Sequence, residues 1–461
     1  MSQAAPSVGV VGGGVLGTCL ALRLAQAGAR VTVIERGPSL GGLAGSFDFG
    51  GHQVDRFYHV ITPADGRMIA MAEELGLGDQ LRFKPVGAGF FAGGEMHDFN
   101  GIADLLRFSP LSPLARLRLG LFVAQCQLRS SYERLETIPL EDWLRRICGN
   151  QVWERIWKPL LDSRFDGDPS GLPATYLWAR TRRMSGARQG KGSGGEEMGH
   201  IIGGHQRLID AMVARARELG VEALTDAPVS GLAAVEDGSV TGVELGGETL
   251  RFDLTIPTLQ PPALRFLLPE RHQGLIAPYP QRWLGCVCPI IKVRRSLLPY
   301  YAVNIVEPTP LTSAVETTQV LGTDHTDGHH LVYLPKYCAP DAAEQSEDEE
   351  SIYRRFTDYL ARLSPGFSRD DVVDWTVQRA KLVEPVHQLR SEGGDRVAPI
   401  WPGVDGLALA SNAQIYPNLL NGDSVMGFAE QVAGEVAGRL ALDGKPVGES
   451  ARKGLAGSLL P

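Results

Sequence analysis

Apolar residues recur along this chain in two rhythms, and their alternation sets the expected fold. Residues 8–11 form an unbroken apolar run that reads as a buried strand. Thr18 to Ala27 changes to helical spacing and stops at Gly28, a residue suited to a helix C-terminus. Residues 30–35, Arg-Val-Thr-Val-Ile-Glu, return to the buried-strand pattern. Strand, helix and strand in that order make a βαβ unit, whose two strands run parallel. Farther on, Gly203 to Gly220 has helical periodicity, Val229 to Pro257 reads as strands and turns, and Gly285 to Val293 alternates as a strand. An acidic run at 341–350 opens a helix expected to reach Leu363. Gly406 to Ala410 reads as a short buried strand, and Val425 to Ala441 as a helix with small residues on one face. These patterns predict an α/β protein.

The turn inside the first βαβ unit carries chemistry. Val-Gly-Gly-Gly-Val-Leu-Gly at 11–17 places Gly12 for a tight strand-to-helix turn, Gly14 for close backbone approach to a pyrophosphate, and Gly17 for tight helix–strand packing. Unpaired N–H groups and the dipole at the helix start favour an anion there, so no basic side chain is required. Glu35 ends the second strand where a carboxylate accepts hydrogen bonds from a ribose diol and repels a 2′-phosphate. That combination points to FAD or NAD rather than NADP.

Length and charge narrow the classes. A chain of 461 residues exceeds the size of a single growing core, so two domains are expected. A net charge of −8 gives nucleic acid no basic face to bind. No apolar run approaches the roughly 20 residues that span a bilayer. The six cysteines lack a disulfide or zinc framework. Cys286 and Cys288 are expected to point to opposite faces of a strand and to remain buried free thiols. The N-terminus passes directly into the nucleotide turn without a leader, which predicts a cytoplasmic location. Residues 102–128 interleave leucines and phenylalanines with Arg107, Arg116 and Arg118. Such a basic amphipathic segment either packs on a core or makes peripheral contact with a membrane surface.

A second glycine pair, Gly41 and Gly42, follows the second strand. Jointly with Gly12, Gly14, Gly17 and Glu35, it makes residues 8–59 resemble the FAD-dependent superfamily of amine oxidases, protoporphyrinogen oxidases, phytoene desaturases and UDP-galactopyranose mutases. The resemblance implies FAD as cofactor, with the second glycine pair also approaching its diphosphate. It implies a Rossmann-like FAD-binding domain built from 1–85, 200–260 and 395–445, an inserted α+β substrate domain from 86–199 and 261–394, and a tail at 446–461. By the same resemblance Arg36 lies near the adenosine ribose or a phosphate, Val229 meets the adenine, and Asn412 stands where relatives carry an acid facing the ribityl chain. The helix start near Ser424 and Val425 would face the flavin pyrimidine.

Three regions offer groups to orient a small-molecule substrate. His52, Asp55, Phe57, Tyr58 and His59 fall where relatives run beneath the flavin ring, with Phe57 as an aromatic floor and His59 as an acid or base. Lys292, alone at the end of an apolar strand, resembles the amine-oxidase lysine that holds a water at the flavin; burial would lower its pKa. Tyr333 faces the cavity from a His- and Tyr-rich run, in which adjacent His329 and His330 point apart and share no metal. No metal site is expected. Arg180, Arg182, Arg183, Arg188 and Lys191 read as a mobile basic loop that is either a solvated linker or a grip for a substrate phosphate.

The leading expectation is an FAD-dependent oxidoreductase that moves a hydride or two electrons from an organic substrate to flavin. A redox-neutral sugar-nucleotide mutase and a non-catalytic FAD-binding protein are the alternatives.

Overall fold

The computed structural model describes residues 5–186, 196–389 and 396–442. Val8, Val10 and Val11 are buried on a strand, Ser7–Val11, that runs between two parallel neighbours. Leu254–Pro257 lies on one side and Arg30–Ile34 on the other, and Glu222–Leu224 follows Arg30–Ile34 to complete a four-stranded sheet. All pairs are parallel, with Val10 opposite both Ile256 and Val33, and Ile34 opposite Leu224. A strand buried on both faces needs a continuous apolar run, as these segments have.

Helices Val15–Gln26, His205–Glu218 and Gly422–Arg439 cover this sheet. Ala21 and Leu24 of the first share one apolar core with Met212 of the second and Ala429, Val432 and Ala433 of the third. Residues 407–410 are buried beside Leu254–Pro257. Hydrogen bonds run from Thr255 N to Gly406 O (2.8 Å), from Ala408 N to Thr255 O (3.1 Å) and from Ala410 N to Pro257 O (3.2 Å). The expected strand at 406–410 is therefore an extended edge with a single bridge, Thr255 to Leu407.

The second large sheet has eight strands. Seven follow the order Lys336–Cys338, Arg282–Val293, His330–Tyr333, Ser313–Glu316, Ala302–Ile305, Ala88–Ala92 and Glu95–Asp98, and Val372–Val386 pairs along the length of Arg282–Val293. The period-two alternation of Arg282–Val293 separates its faces. Val287, Ile291 and Val293 pack against the helix Glu349–Leu363 through Ile352, Phe356 and Leu360. Cys286, Cys288 and Ile290 face the opposite layer with Phe49, Val54 and Phe57. Cys286 and Cys288 thus share a face, correcting the expectation that they diverge, because residues two apart in a strand point the same way. Both are buried free thiols.

Arg180, Arg182 and Arg183 lie on a helix, Thr175–Gly186, rather than on a loop. Arg183 pairs with Asp65 at 3.2 Å and Arg182 sits over Trp178, 5.1 Å from the ring centroid. The turn of helix explains the difference: glycines cluster only after Arg183, and the residues before them have helical spacing. Arg188 and Lys191 lie outside the described residues.

The glycine turn supplies a test of this packing. A Cβ at Gly17 would stand 1.9 Å from the Gly12 carbonyl oxygen, whereas a Cβ at Gly14 meets nothing within 4 Å. Gly17→Ala is expected to lower the thermal midpoint of the protein without added ligand, by the equivalent of about 1–3 kcal/mol. Gly14→Ala should leave it unchanged. Thermal unfolding followed by circular dichroism checks the pair, and equal midpoints would contradict the packing described.

Candidate active site

Two glycine turns meet at the C-terminal edge of the parallel sheet. Gly12 has φ +109° and Gly41 φ +122°, backbone states that side chains other than hydrogen rarely adopt. The Gly41 amide donates to the Gly13 carbonyl at 2.8 Å, which fastens the second turn onto the first. Glu35 braces the same point. Its two carboxylate oxygens accept from the amides of Gly13 (2.7 Å) and Gly37 (2.8 Å) and retain lone pairs for a further donor.

Several observations fit an extended dinucleotide at this junction. Gly14, the N-cap of helix Val15–Gln26, has no side-chain cap, and the space where its Cβ would project is open. The first amides of that helix therefore keep donor capacity for a diphosphate. At the far end of the sheet Asn412 leaves its buried Oδ1 without a partner, as a group awaiting a hydroxyl donor would. Arg36 is exposed beside the turn, and Val229 begins a strand, Val229–Ala234, next to the Glu35 backbone through the Ala227-to-Glu35 bond of 3.0 Å.

Val425 departs from its expected place. The helix starts earlier, at Gly422, so the Val425 amide is spent on Asn421 O (3.0 Å) and the Ser424 amide on Asn421 Oδ1 (3.0 Å). Val425 packs in the core instead. Asp423 turns its carboxylate to the amides of Arg67 (2.6 Å) and Met68 (3.3 Å), capping the helix Gly66–Glu74; burial raises its pKa.

A cavity of about 470 Å³ opens beside the hairpin that follows the second glycine turn. Asp55, Tyr58, His59, His200, His325 and Tyr333 are among its lining residues. The Tyr333 hydroxyl donates to the Asp55 carbonyl at 2.8 Å, while the Asp55 carboxylate lies 3.3 Å from His205 Nδ1. The His205 ring stands 5.0 Å from that of His59. Donor atoms of Asp55, His59 and His205 fall within 4.8 Å of one another, a spacing that could hold a cation, and no sequence argument had joined these three. Asp55 Oδ1, His59 Nδ1 and His200 Nδ1 are buried with no hydrogen-bond partner.

Burial keeps the cavity imidazoles neutral. It pushes His59 down to about 4, with His205 adding to the effect, and His200 down to about 4 with help from His325. His325 is lowered as well, first by burial and then by His52. Near neutral pH these rings are proton acceptors.

The other expected catalytic groups divide. Tyr58 lines the cavity and lies 3.4 Å, oxygen to oxygen, from Tyr337; burial raises the pKa of its phenol. Lys292 occupies a different setting from the one expected. Only 3% exposed, it donates to the Phe49 carbonyl (2.8 Å) and stands 3.2 Å from His52 Nδ1. It pins the hairpin to the sheet and is not among the cavity's lining residues. His52 in turn reaches Asp327 at 3.1 Å, and Phe57 is buried in the apolar layer rather than forming a cavity floor. His329 and His330 engage separate partners. His329 bonds the Thr326 carbonyl and His330 bonds buried Glu316, whose other oxygen accepts the amides of Leu297 and Leu298.

Sequence reasoning missed one further group. Arg164 is buried in an ion pair with Glu384, and its guanidinium stacks 3.3 Å from the Tyr337 ring centroid. Its partners lie more than a hundred residues away, so no local pattern marks it.

A family model described as flavin containing amine oxidoreductase matches residues 17–422. Among curated proteins, the chain is 31% identical over 202 residues to a carotenoid phi-ring synthase of Streptomyces griseus, covering 38% of this chain and 37% of that one. It is 25% identical over 270 residues to a phytoene desaturase of Rhodobacter capsulatus, covering 51% and 49%. A chloroplastic protoporphyrinogen oxidase of Nicotiana tabacum is 27% identical over 203 residues, covering 43% and 34%. The matched part spans about a third to a half of the length of these relatives. Two solved structures share the fold. Reduced UDP-galactopyranose mutase superposes with a TM-score of 0.70 at 15% identity over 98% of this chain and 99% of its own. Cyclohexylamine oxidase of Brevibacterium oxydans gives 0.64 at 17% identity over 95% and 100%. With the double glycine cradle, the match to a flavin-containing family makes FAD the cofactor. The chain belongs to the flavin-containing amine oxidoreductase family.

Proposed function

We propose that this protein dehydrogenates an organic substrate of drug-like size held in the 470 Å³ cavity, with His59 accepting the proton released. The observation that carries this reading is the neutral imidazole of His59 beside the Asp55–His205 pair on the cavity wall. Bound FAD supplies the acceptor for two electrons, delivered as a hydride. Gly12, Gly14, Gly41 and Gly42 would cradle its diphosphate, with Gly17 letting the helix pack close beneath it, and Glu35 and Arg36 would hold its adenosine end, Val229 its adenine, and Asn412 its ribityl chain.

The substrate loses a hydride from carbon and a proton from an adjacent carbon, nitrogen or oxygen. The proton passes to the His59 imidazole, which lines the cavity. The Asp55 carboxylate, 3.3 Å from His205 Nδ1, offsets positive charge gained nearby. Tyr58 and Tyr333, fixed by Tyr337 and by the Asp55 carbonyl, bound the space in which the substrate turns.

Relatives named as a desaturase and an oxidase support an oxidation. The redox-neutral alternative drew on arginines gripping a diphosphate. Arg183 is already engaged by Asp65 and Arg182 by Trp178, which weakens that alternative. Six buried free thiols support a reducing, cytoplasmic setting. Among the described residues no helix is long and apolar enough to cross a membrane.

Anaerobic mixing of the oxidised, FAD-loaded protein with panels of polycyclic, isoprenoid and amine compounds is expected to bleach the oxidised-flavin band with at least one class. Turnover that requires prior flavin reduction and consumes no oxidant would favour the mutase-like chemistry instead. The pH dependence follows from His59. A base must be neutral to accept a proton, so it works above its pKa and fails below it. With that pKa near 4, the rate of flavin reduction should be flat from neutral pH down to about pH 5 and fall below it. His59→Asn should slow reduction on the order of 100-fold and remove the acid limb. An unchanged rate with the limb intact would rule His59 out as the acceptor.

A further inference from the structure

The helix Pro113–Leu128 is apolar on two sides. At 100° per residue, Ala115, Leu119, Phe122 and Cys126 fall on one narrow stripe, and these four are buried against a core that includes Trp143 and Leu144. Leu114, Leu117, Leu121 and Leu128 fall on a second stripe of similar width, and all four are exposed, Leu128 by 86%. The preceding helix, Ile102–Arg107, extends that surface with Ile102, 80% exposed, and Leu106. Six of the twelve large apolar side chains exposed among the described residues thus come from this one helix pair. Isolated exposed leucines are ordinary, but a continuous outward stripe on a helix whose other face is already buried marks a contact surface.

The pair is held rigidly. Arg116 donates to the Leu111 carbonyl at 2.8 Å and to the Leu106 carbonyl, tying the short helix to the long one. Phe108 and Leu111 anchor the connection in the core. The apolar stripe is therefore presented at a set angle.

We propose that this face docks the protein on an anionic lipid surface. Charge supports a membrane over other occupants. Within 102–128 there are three arginines and one acid, in a chain whose net charge is −8. The single acid, Asp104, is engaged by the Asn100 amide at 2.8 Å, whereas Arg107 and Arg118 are exposed at the stripe. An anionic surface would repel most of the molecule and attract this side, with leucines entering the acyl boundary and arginines meeting headgroups. A helix of 16 residues, about 24 Å long, suits an in-plane position. A second copy is disfavoured because a two-fold pairing would set this arginine-edged stripe against the same arginine-edged stripe, and one helix pair is narrow beside the roughly 800 Å² per partner of a stable interface. This inference does not rest on the reading of the cavity.

The test uses the full-length, FAD-loaded protein in co-sedimentation with phosphatidylcholine vesicles, with and without a quarter phosphatidylglycerol. The expected result is binding to the anionic vesicles at least about tenfold tighter than to the zwitterionic ones, weakened by added salt. The Leu117→Gln/Leu121→Gln double variant should lose at least about tenfold in binding while keeping flavin content and thermal midpoint. Arg107→Gln/Arg118→Gln should erase the preference for anionic lipid. The proposal is overturned if wild type binds neither vesicle or if the leucine variant binds as wild type. It is equally overturned if light scattering shows a dimer that the leucine variant dissociates, since a second copy then covers the face.

Discussion

The hydrogen bond from the Gly41 amide to the Gly13 carbonyl is the contact on which the site depends. It joins the turn after the first strand to the turn after the second. The Glu35 carboxylate, taking the Gly13 and Gly37 amides, locks the same corner. Net gains of about 1 kcal/mol for a neutral hydrogen bond and about 1.5–3 kcal/mol for one to a charged group are ordinary. Their position matters more than their size. They direct the chain after Gly45 into the hairpin Ser46–Asp48 and Gln53–Asp55. That hairpin delivers Asp55, Tyr58 and His59 to the cavity, so one corner sets both the cofactor cradle and the reacting groups.

The second large sheet receives the hairpin and holds it with polar contacts inside an apolar layer. Lys292 reaches the Phe49 carbonyl, and Tyr333 reaches the Asp55 carbonyl. A buried ammonium or hydroxyl without such a partner would cost several kcal/mol in desolvation, on the order of 2–7 kcal/mol for a neutral group. These contacts therefore specify one docking position for the hairpin. The Arg164–Glu384 pair with Tyr337 stacked on it does the same for Tyr58 from the other side. Against that paired background the cavity imidazoles stand out, because burial lowers their pKa and His59 Nδ1 and His200 Nδ1 have no partner.

Local patterns were readable and convergence was not. The first βαβ unit, Glu35, the second glycine pair and the helix after Gly204 are written within short stretches whose spacing has one physical explanation. The strand Arg282–Val293 is equally legible as a strand, yet its cysteines, two apart, share a face, and its lysine meets the Phe49 carbonyl and His52 of the hairpin, contacts no periodicity announces. His205 joins Asp55 from a helix 150 residues away, and Glu384 reaches Arg164 across a span of 220 residues. Nothing in periodicity or composition ties such partners together. The helix at 180–186 was hidden by the glycines that follow it, and the early start of the last helix by the Gly422 that opens it.

Hydrogen exchange of the protein with and without FAD tests the central claim most directly, since it reads the amides that two fused glycine turns offer to one dinucleotide. The account predicts that FAD slows exchange together at 12–18 and at 41–45, with a smaller effect around Asn412. Protection confined to the first turn, with 41–45 exchanging as in the flavin-free protein, would contradict it.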